Sequence, residues 1–310
     1  MIEIRQLTKV YGRTSAVEDL TFAVRPGVVT GFLGPNGAGK STTMRTIVGL
    51  DHPTAGETLV SGRPYAAHSA PMRVVGALLE ANAVHPGRTA ASHLRALAAT
   101  HRIGRRRVEE VIGLVGLDEV AAKRAGTFSL GMAQRLGLAG ALLGDPAVLI
   151  LDEPVNGLDP DGIRWVRDLL RGLAREGRTV FISSHLMSEM ALTADHLVVI
   201  SRGRLLADVP MAEMIAAAGA TVRIRSPRAA DLAPLLAGRD VEVTAEGHEV
   251  LAVAGMTSVD IAETAFTHGI VLHELTPVQV SLEDAYLALT HEHTFYRAGE
   301  GLHAKGRAVA

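Results

Sequence analysis

With 310 residues, 47% hydrophobic content and a formal net charge of −2, the chain is long enough for about two domains and too close to neutral to point to nucleic acid as its main partner. It has no cysteine, which excludes disulfides, thiolate metal sites and thiol catalysis and fits a reducing compartment. Its apolar runs are too short to cross a bilayer, since 136–151 is cut by Asp145-Pro146 and 192–200 by Asp195-His196, and residue 1 onward lacks the apolar segment of a secretory signal.

In chain order, short strands are predicted at 2–4 and 20–24, followed by a turn at Arg25-Pro26-Gly27. An apolar strand at 28–33 then runs into Gly34-Pro35-Asn36-Gly37-Ala38-Gly39-Lys40-Ser41-Thr42 and a helix over 42–48. Strand, glycine-rich loop and helix in this order make a phosphate-binding loop. The glycines let backbone N–H groups converge on an anion, Lys40 reaches the terminal phosphates, and the Ser41 hydroxyl suits Mg²⁺. A further strand ends near residue 60.

Helical spacing takes over across 92–143, with Leu94, Leu97 and Ala98, then Val108, Val111, Ile112 and Val115, as the apolar positions. Arg105-Arg106-Arg107, followed by Glu109-Glu110, reads as a solvated helix face. Phe128-Ser129-Leu130-Gly131-Met132-Ala133-Gln134-Arg135 opens a helix, with Ser129 as N-cap and free N–H groups able to meet a γ-phosphate. The apolar strand 147–151 ends in Asp152-Glu153. The first carboxylate is placed to hold Mg²⁺ and the second to polarise an attacking water as general base.

A helix with Ile163, Val166, Leu169, Leu170 and Leu173 on one face stops at Gly177. The strand 179–183 follows, with His185 just beyond it in Ser183-Ser184-His185, and then a strand at 197–200, a turn at 201–204 and a helix at 211–218. Apolar strands alternating with helices imply a parallel sheet buried on both faces. Gly219 marks a boundary. Strands at 221–225, 241–244, 250–253 and 270–274, with helices at 229–236, 258–268 and 282–290, suggest a small α+β domain. The segment 291–310 is rich in Gly, His and charge and is expected to be disordered, and His291-Glu292-His293 lacks a third ligand for a metal.

These motifs, in this order over residues 1–220, resemble the nucleotide-binding subunit of ATP-binding-cassette (ABC) transporters. The resemblance implies an α/β P-loop NTPase fold. Its cassette would span 1–219 with a RecA-like core and a helical subdomain inserted at about 82–143, followed by the α+β accessory domain at 220–290 and the tail at 291–310. Tyr11, in Lys9-Val10-Tyr11-Gly12, resembles the aromatic that stacks on adenine. Residues 34–42 resemble the Walker A loop, so that Gly34, Pro35, Asn36, Gly37, Ala38, Gly39, Lys40, Ser41 and Thr42 would contact nucleotide. Val148 to Glu153 resemble the Walker B strand. Ser129 and Gly131 stand in the signature segment, Asp159 ends the loop Asn156-Gly157-Leu158-Asp159 that crosses between subunits, and His185 is similar to the switch histidine.

The implied cofactors are ATP and Mg²⁺, with Ser41 and Asp152 at the metal and Glu153, His185 and Lys40 in catalysis. The implied partners are a second cassette, head to tail and most simply a homodimer, and a separately encoded multi-span permease. The chain would then sit peripherally on the cytoplasmic face of the membrane.

Two departures from the family pattern stand out. Members usually carry a glutamine between Walker A and the signature, but the only glutamines are Gln6, Gln134 and Gln279. Glu80, in Val75-Gly76-Ala77-Leu78-Leu79-Glu80, takes that place, where a carboxylate can ligate Mg²⁺ but donates no hydrogen bond. The signature also departs at Leu130 and Met132. These departures, with Asn156-Gly157-Leu158-Asp159-Pro160 and the segment 281–290, resemble the bacterial drug and antibiotic exporter branch, including bacitracin- and daunorubicin-type export ATPases. The competing expectations are an ABC ATPase of DNA repair or the ribosome, a nucleotide-binding regulator without turnover, and a transport ATPase for import or for lipid or polysaccharide export.

Overall fold

A computed structural model describes residues 1–80, 83–217, 221–239, 241–278 and 281–291. The chain divides into two compact units, Met1–Glu213 and Met214–Ala310. Gly219 and residues 292–310, including Glu292 and His293, lie outside the described residues.

The first unit runs β1 (Ile2–Tyr11), β2 (Thr14–Val24), β3 (Val29–Leu33), α1 (Lys40–Ile47), β4 (Ala55–Val60), α2 (Pro71–Val74), β5 (Val75–Leu78), α3 (Ala90–Thr100), α4 (Arg105–Leu114), α5 (Leu130–Leu142), β6 (Val148–Asp152), α6 (Pro160–Arg175), β7 (Thr179–Ser183), α7 (Met187–Thr193), β8 (His196–Ser201) and β9 (Arg204–Pro210). A central six-stranded sheet has the order β5-β6-β7-β3-β8-β9, parallel except for the last strand. Its inner strands are largely apolar because both faces are covered, by helices and by a smaller sheet. A smaller antiparallel sheet, β2-β1-β4, carries Phe22, whose ring lies 5.6 Å from that of Phe32 in β3 and 6.0 Å from that of Phe181 in β7. Phe32 and Phe181 are 5.0 Å apart. All three rings are buried, and each such side chain contributes about 1.5–3 kcal/mol relative to exposure, so this cluster joins the two sheets.

The helical block α3–α5 follows β5. Arg105 and Arg106 pair with Glu109 and Glu110 at 3.0 Å on the solvent side. Arg107 departs from the solvated-face expectation. It turns inward and donates to the carbonyls of Leu142 (2.8 Å) and Leu143 (3.3 Å), satisfying the free carbonyls at the end of α5.

Helix α8 (Met211–Ala217) straddles the division between the units. In the second unit β10 (Thr221–Arg225), α9 (Ala229–Leu236), β11 (Glu242–Ala245), β12 (Val250–Ala254), α10 (Ser258–Thr267), β13 (Glu274–Val278) and α11 (Leu282–His291) follow. The sheet order β11-β12-β10-β13, antiparallel throughout, with α9 and α10 between strands, is the split β-α-β arrangement of ferredoxin-like domains. Val222, Ile224, Leu251 and Val253 point to a core closed by Leu232 and Ile261.

The expected strand at 270–274 is corrected to 274–278. Gly269 adopts φ +61° beyond α10, and the N–H of Gly269 bonds Phe266 while that of Ile270 bonds Ala265, the double closure of a Schellman motif. Ile270 is therefore the buried hydrophobic contact of a helix end, and pairing with β10 starts only at Glu274.

Candidate active site

The fully buried strand β3 delivers the loop 34–39 to the start of α1. Gly39 has φ +105°, and a Cβ there would stand 2.5 Å from the carbonyl oxygen of Ala16, so any side chain would both strain the backbone and collide with β2. Lys40 is only 8% exposed, and its ammonium arches back to donate to the carbonyls of Gly34 (2.6 Å) and Pro35 (3.2 Å). Burial pulls its pKa below the ordinary lysine value, against the opposing pull of the Glu153 and Asp152 carboxylates. The loop thus presents helix-terminal N–H groups and a buried cation on one side, the chemistry of a phosphate cradle.

On the opposite side, β6 ends in Asp152. Its Oδ2 accepts from the Ser41 hydroxyl at 2.7 Å, and its Oδ1 accepts from the Ser183 hydroxyl at the end of β7. Glu153 follows with φ +53°, a left-handed conformation that costs a non-glycine residue about 1–3 kcal/mol and persists only where its surroundings fix it. Here they do. The Glu153 N–H donates to Ser183 Oγ (3.0 Å), and the Glu153 carbonyl accepts from the Gln134 side-chain amide (2.8 Å) and the Asn156 N–H (3.2 Å). The Glu153 carboxylate in turn meets His185 Nδ1 at 2.8 Å.

Lys40, Ser41, Asp152, Glu153 and His185 therefore gather around the carboxyl ends of β3, β6 and β7. Ser183 and Gln134, which sequence reasoning did not single out for the site, tie the network together. Their signal was there: a fully buried serine closing an apolar strand, and a 3% exposed glutamine on the face of α5 shared with Leu138, Ala141 and Leu142.

The remaining predicted positions outside the loop stand apart from the Asp152–Glu153–His185 network. Tyr11, at the end of β1, is 46% exposed, with the Lys9 ammonium 4.8 Å from its ring centroid. Desolvation, then the Asp51 carboxylate, raise its hydroxyl pKa, while Thr42 beside it acts in the other direction. Ser129 caps α5 by accepting from the Met132 N–H at 3.2 Å. At Gly131 an added Cβ would stand 2.9 Å from the Gly157 carbonyl, so the start of α5 packs on the 156–159 loop. Asp159 caps α6, its Oδ1 accepting from the Gly162 N–H at 2.9 Å. Among the described residues, none of Ser129, Gly131 and Asp159 hydrogen-bonds to the loop 34–42.

Glu80 lies outside this network, two residues past β5; the Arg45 pKa is raised first by its hydrogen bond and charge pairing with Asp51, and Glu80 is near enough to add a small electrostatic contribution. Glu80 and Arg45 line a cleft of about 490 Å³, together with Tyr65, His93 and Leu97, between the sheet and the helical block. Behind α5, the Arg135 guanidinium lies 5.7 Å from the ring centroid of Trp165 in α6.

Comparison with known proteins identifies the family of the chain. The ABC transporter family matches residues 17–156, and residues 220–283 match a domain of unknown function. The chain is 37% identical over 296 residues to an uncharacterized ABC transporter ATP-binding protein, YhcH, of Bacillus subtilis, covering 94% of this chain and 96% of the relative. The chain belongs to the ABC transporter ATP-binding family. This ABC protein is also 42% identical over 213 residues to the bacitracin transport ATP-binding protein BcrA of Bacillus licheniformis, covering 68% of the chain and 70% of BcrA. Among solved structures, an ATP binding subunit of an ABC transporter superposes with a TM-score of 0.64 at 27% identity, over 69% of this chain and 91% of the other. Like other ABC cassettes, the protein is an ATPase with the P-loop NTPase fold. Among the described residues, no helix of this ABC subunit is long and apolar enough to cross a membrane.

Proposed function

We propose that this subunit hydrolyses ATP to power export of a drug, antibiotic or other amphipathic compound through a separately encoded membrane permease. The observation that carries the reading is the network from Ser41 through Asp152 and Ser183 to Glu153 and His185, with the buried Lys40 beside it, in a chain similar to a bacitracin transport ATPase. That network supports turnover and speaks against a regulator that only binds nucleotide.

In this reading the loop 34–42 cradles the phosphates, Lys40 leaves its loop carbonyls for the terminal phosphates, and Tyr11 stacks on the base. The Glu153 carboxylate accepts the proton of the attacking water, and His185, hydrogen-bonded to it, contacts the γ-phosphate. Ser41 Oγ and Asp152 Oδ2, two hard oxygens 2.7 Å apart, fit the donor set for Mg²⁺, which when bound neutralises phosphate charge. Among the described residues no group of three acidic or histidine side chains forms a metal cage, so Ser41 and Asp152 would need phosphate and water oxygens to complete the shell.

Ser129 and Gly131, on the start of α5, serve the nucleotide of a second cassette arranged head to tail. The cleft beside Glu80 accepts a helix of the permease, with Glu80 and Arg45 at its polar end. In the same reading the protein sits peripherally on the cytoplasmic face of the membrane.

The test is to express tagged Glu153→Gln in its host, extract it in mild detergent with ATP and Mg²⁺, and identify what co-purifies. A multi-span membrane protein is expected. Ribosomes, nucleic acid or a soluble partner alone would leave the ATPase standing and overturn the transport reading.

A further inference from the structure

Gln134 occupies a position that the pattern of its helix assigns to an apolar residue. It shares a face of α5 with Leu138, Ala141 and Leu142, all buried, and is itself 3% exposed. Burying an amide in such a place is unfavourable unless it is hydrogen-bonded, so its bond to the Glu153 carbonyl at 2.8 Å accounts for its being tolerated there. The acceptor belongs to the one residue of the network that is held in a left-handed conformation, φ +53°.

Released from that conformation, the Glu153 peptide would rotate toward the β or right-handed region and carry the carboxylate away from His185 Nδ1. Asn156, the other donor to the same carbonyl, lies at 3.2 Å within the turn that Glu153 itself opens, so it travels with that turn, whereas the Gln134 donor is anchored in α5.

We infer that Gln134 is a positioning residue for hydrolysis: its side-chain amide, fixed by α5, holds the Glu153 backbone so that the carboxylate faces the attacking water. The inference rests on the reading of Glu153 as general base. Gln134 touches neither nucleotide nor water in this role. Because Gln134 lies on the same helix as Ser129 and Gly131, a shift of α5 is passed to the Glu153 backbone by this bond.

Gln134→Met keeps the length and packing of the side chain and removes its N–H donors, and Glu153→Asp weakens the base without removing it. Steady-state ATP hydrolysis, ATP affinity and thermal denaturation are measured for the wild type, each single variant and the double variant. In Gln134→Met the expected result is a fall in kcat of about tenfold or more, with KM for ATP and the melting temperature nearly unchanged. In the Glu153→Asp background the same substitution should cost less than threefold, because the geometry it protects is already lost.

A kcat within twofold of wild type, or a joint loss of kcat, ATP affinity and melting temperature, overturns the positioning role. So do fully multiplicative losses in the double variant. Wild-type turnover by Glu153→Asp and by Glu153→Gln would instead overturn the assignment of the base, whatever Gln134→Met does.

Discussion

His185 Nδ1 and Glu153 Oε2 stand 2.8 Å apart, although 32 residues separate them in sequence. Strands β6 and β7 are adjacent and parallel, and Asp152 pairs with Ser183, so the residues just beyond both strand ends emerge side by side. The imidazole orientation is thereby fixed by the carboxylate, which leaves Nε2 free to reach a phosphate oxygen. Replacing His185 by Ala should lower kcat by about 10²-fold, in the range of a lost acid–base or charge-stabilising group, while ATP affinity stays within a few fold. Equilibrium nucleotide binding and single-turnover hydrolysis measure the two separately, and a large loss of affinity with intact turnover would contradict the assignment.

Lys40 gives a prediction in which stability and binding separate. Burial lowers its pKa below the unfolded value of 10.5, so at neutral pH the folded state carries the cost of a partly desolvated cation, a cost relieved only as pH rises toward the unfolded value. Lys40→Met should therefore leave the melting temperature without ATP equal to or above that of wild type. The rise in melting temperature on adding ATP, which for a ligand at about 100 times its Kd corresponds to about 2.7 kcal/mol, should largely disappear. Thermal shift with and without nucleotide reads both.

Asp159 tests whether a cap and an intersubunit contact share one side chain. Its Oδ1 accepts from the Gly162 N–H, so Asp159→Ala should cost about 1 kcal/mol in denaturant unfolding, while Asp159→Asn, which keeps the acceptor, should cost almost nothing. If Asp159 also crosses to a second cassette, both variants should weaken the ATP-dependent dimer seen in Glu153→Gln by size-exclusion chromatography. A normal dimer in both would restrict Asp159 to capping.

The pair Arg45–Asp51 predicts an acid limb. Arg45 Nε donates to Asp51 Oδ2 at 2.7 Å and holds that carboxyl below its ordinary 3.8, with Tyr11 adding to the effect. The folded pKa lies below the unfolded one, so the pair's stabilisation is complete above about pH 3.8 and is lost as pH falls through the lowered value. In Arg45→Met, NMR titration should show Asp51 moving back up toward 3.8. Any stability gap between variant and wild type at neutral pH should close in acid, and an unmoved Asp51 titration would rule the pair out as its cause.

What could be read in the sequence was whatever depends on local spacing. The loop 34–42, the Asp152-Glu153 step and the alternation of apolar strands with helices all lie within single windows of the chain. The antiparallel strands were harder. Only 2–4 of β1 was predicted, because Gln6 (φ +49°), beside Thr21, interrupts the two-residue alternation, and Asp19 (φ +49°), beside Thr8, does the same in β2. Ile270-Val271-Leu272 read as a strand because a Schellman contact and a strand core both ask for apolar side chains. Ser183 and Gln134 escaped notice as site residues for another reason. Each acts on a partner 19 or more residues away, and a serine at a strand end or a glutamine in a helix is ordinary until that partner is known.

The contact of Arg135 with Trp165 gives the molecule an optical property. Trp165 is the only tryptophan in the chain, so nearly all emission excited at the red edge of the absorption band comes from this ring on α6. Arg135 follows Gln134 directly on α5. Any movement of α5 relative to α6 would carry the guanidinium toward or away from the indole face and change the emission with it. The unlabelled protein therefore carries its own fluorescent gauge of helical-block movement, readable in a stopped-flow instrument during a single cycle of ATP binding and hydrolysis.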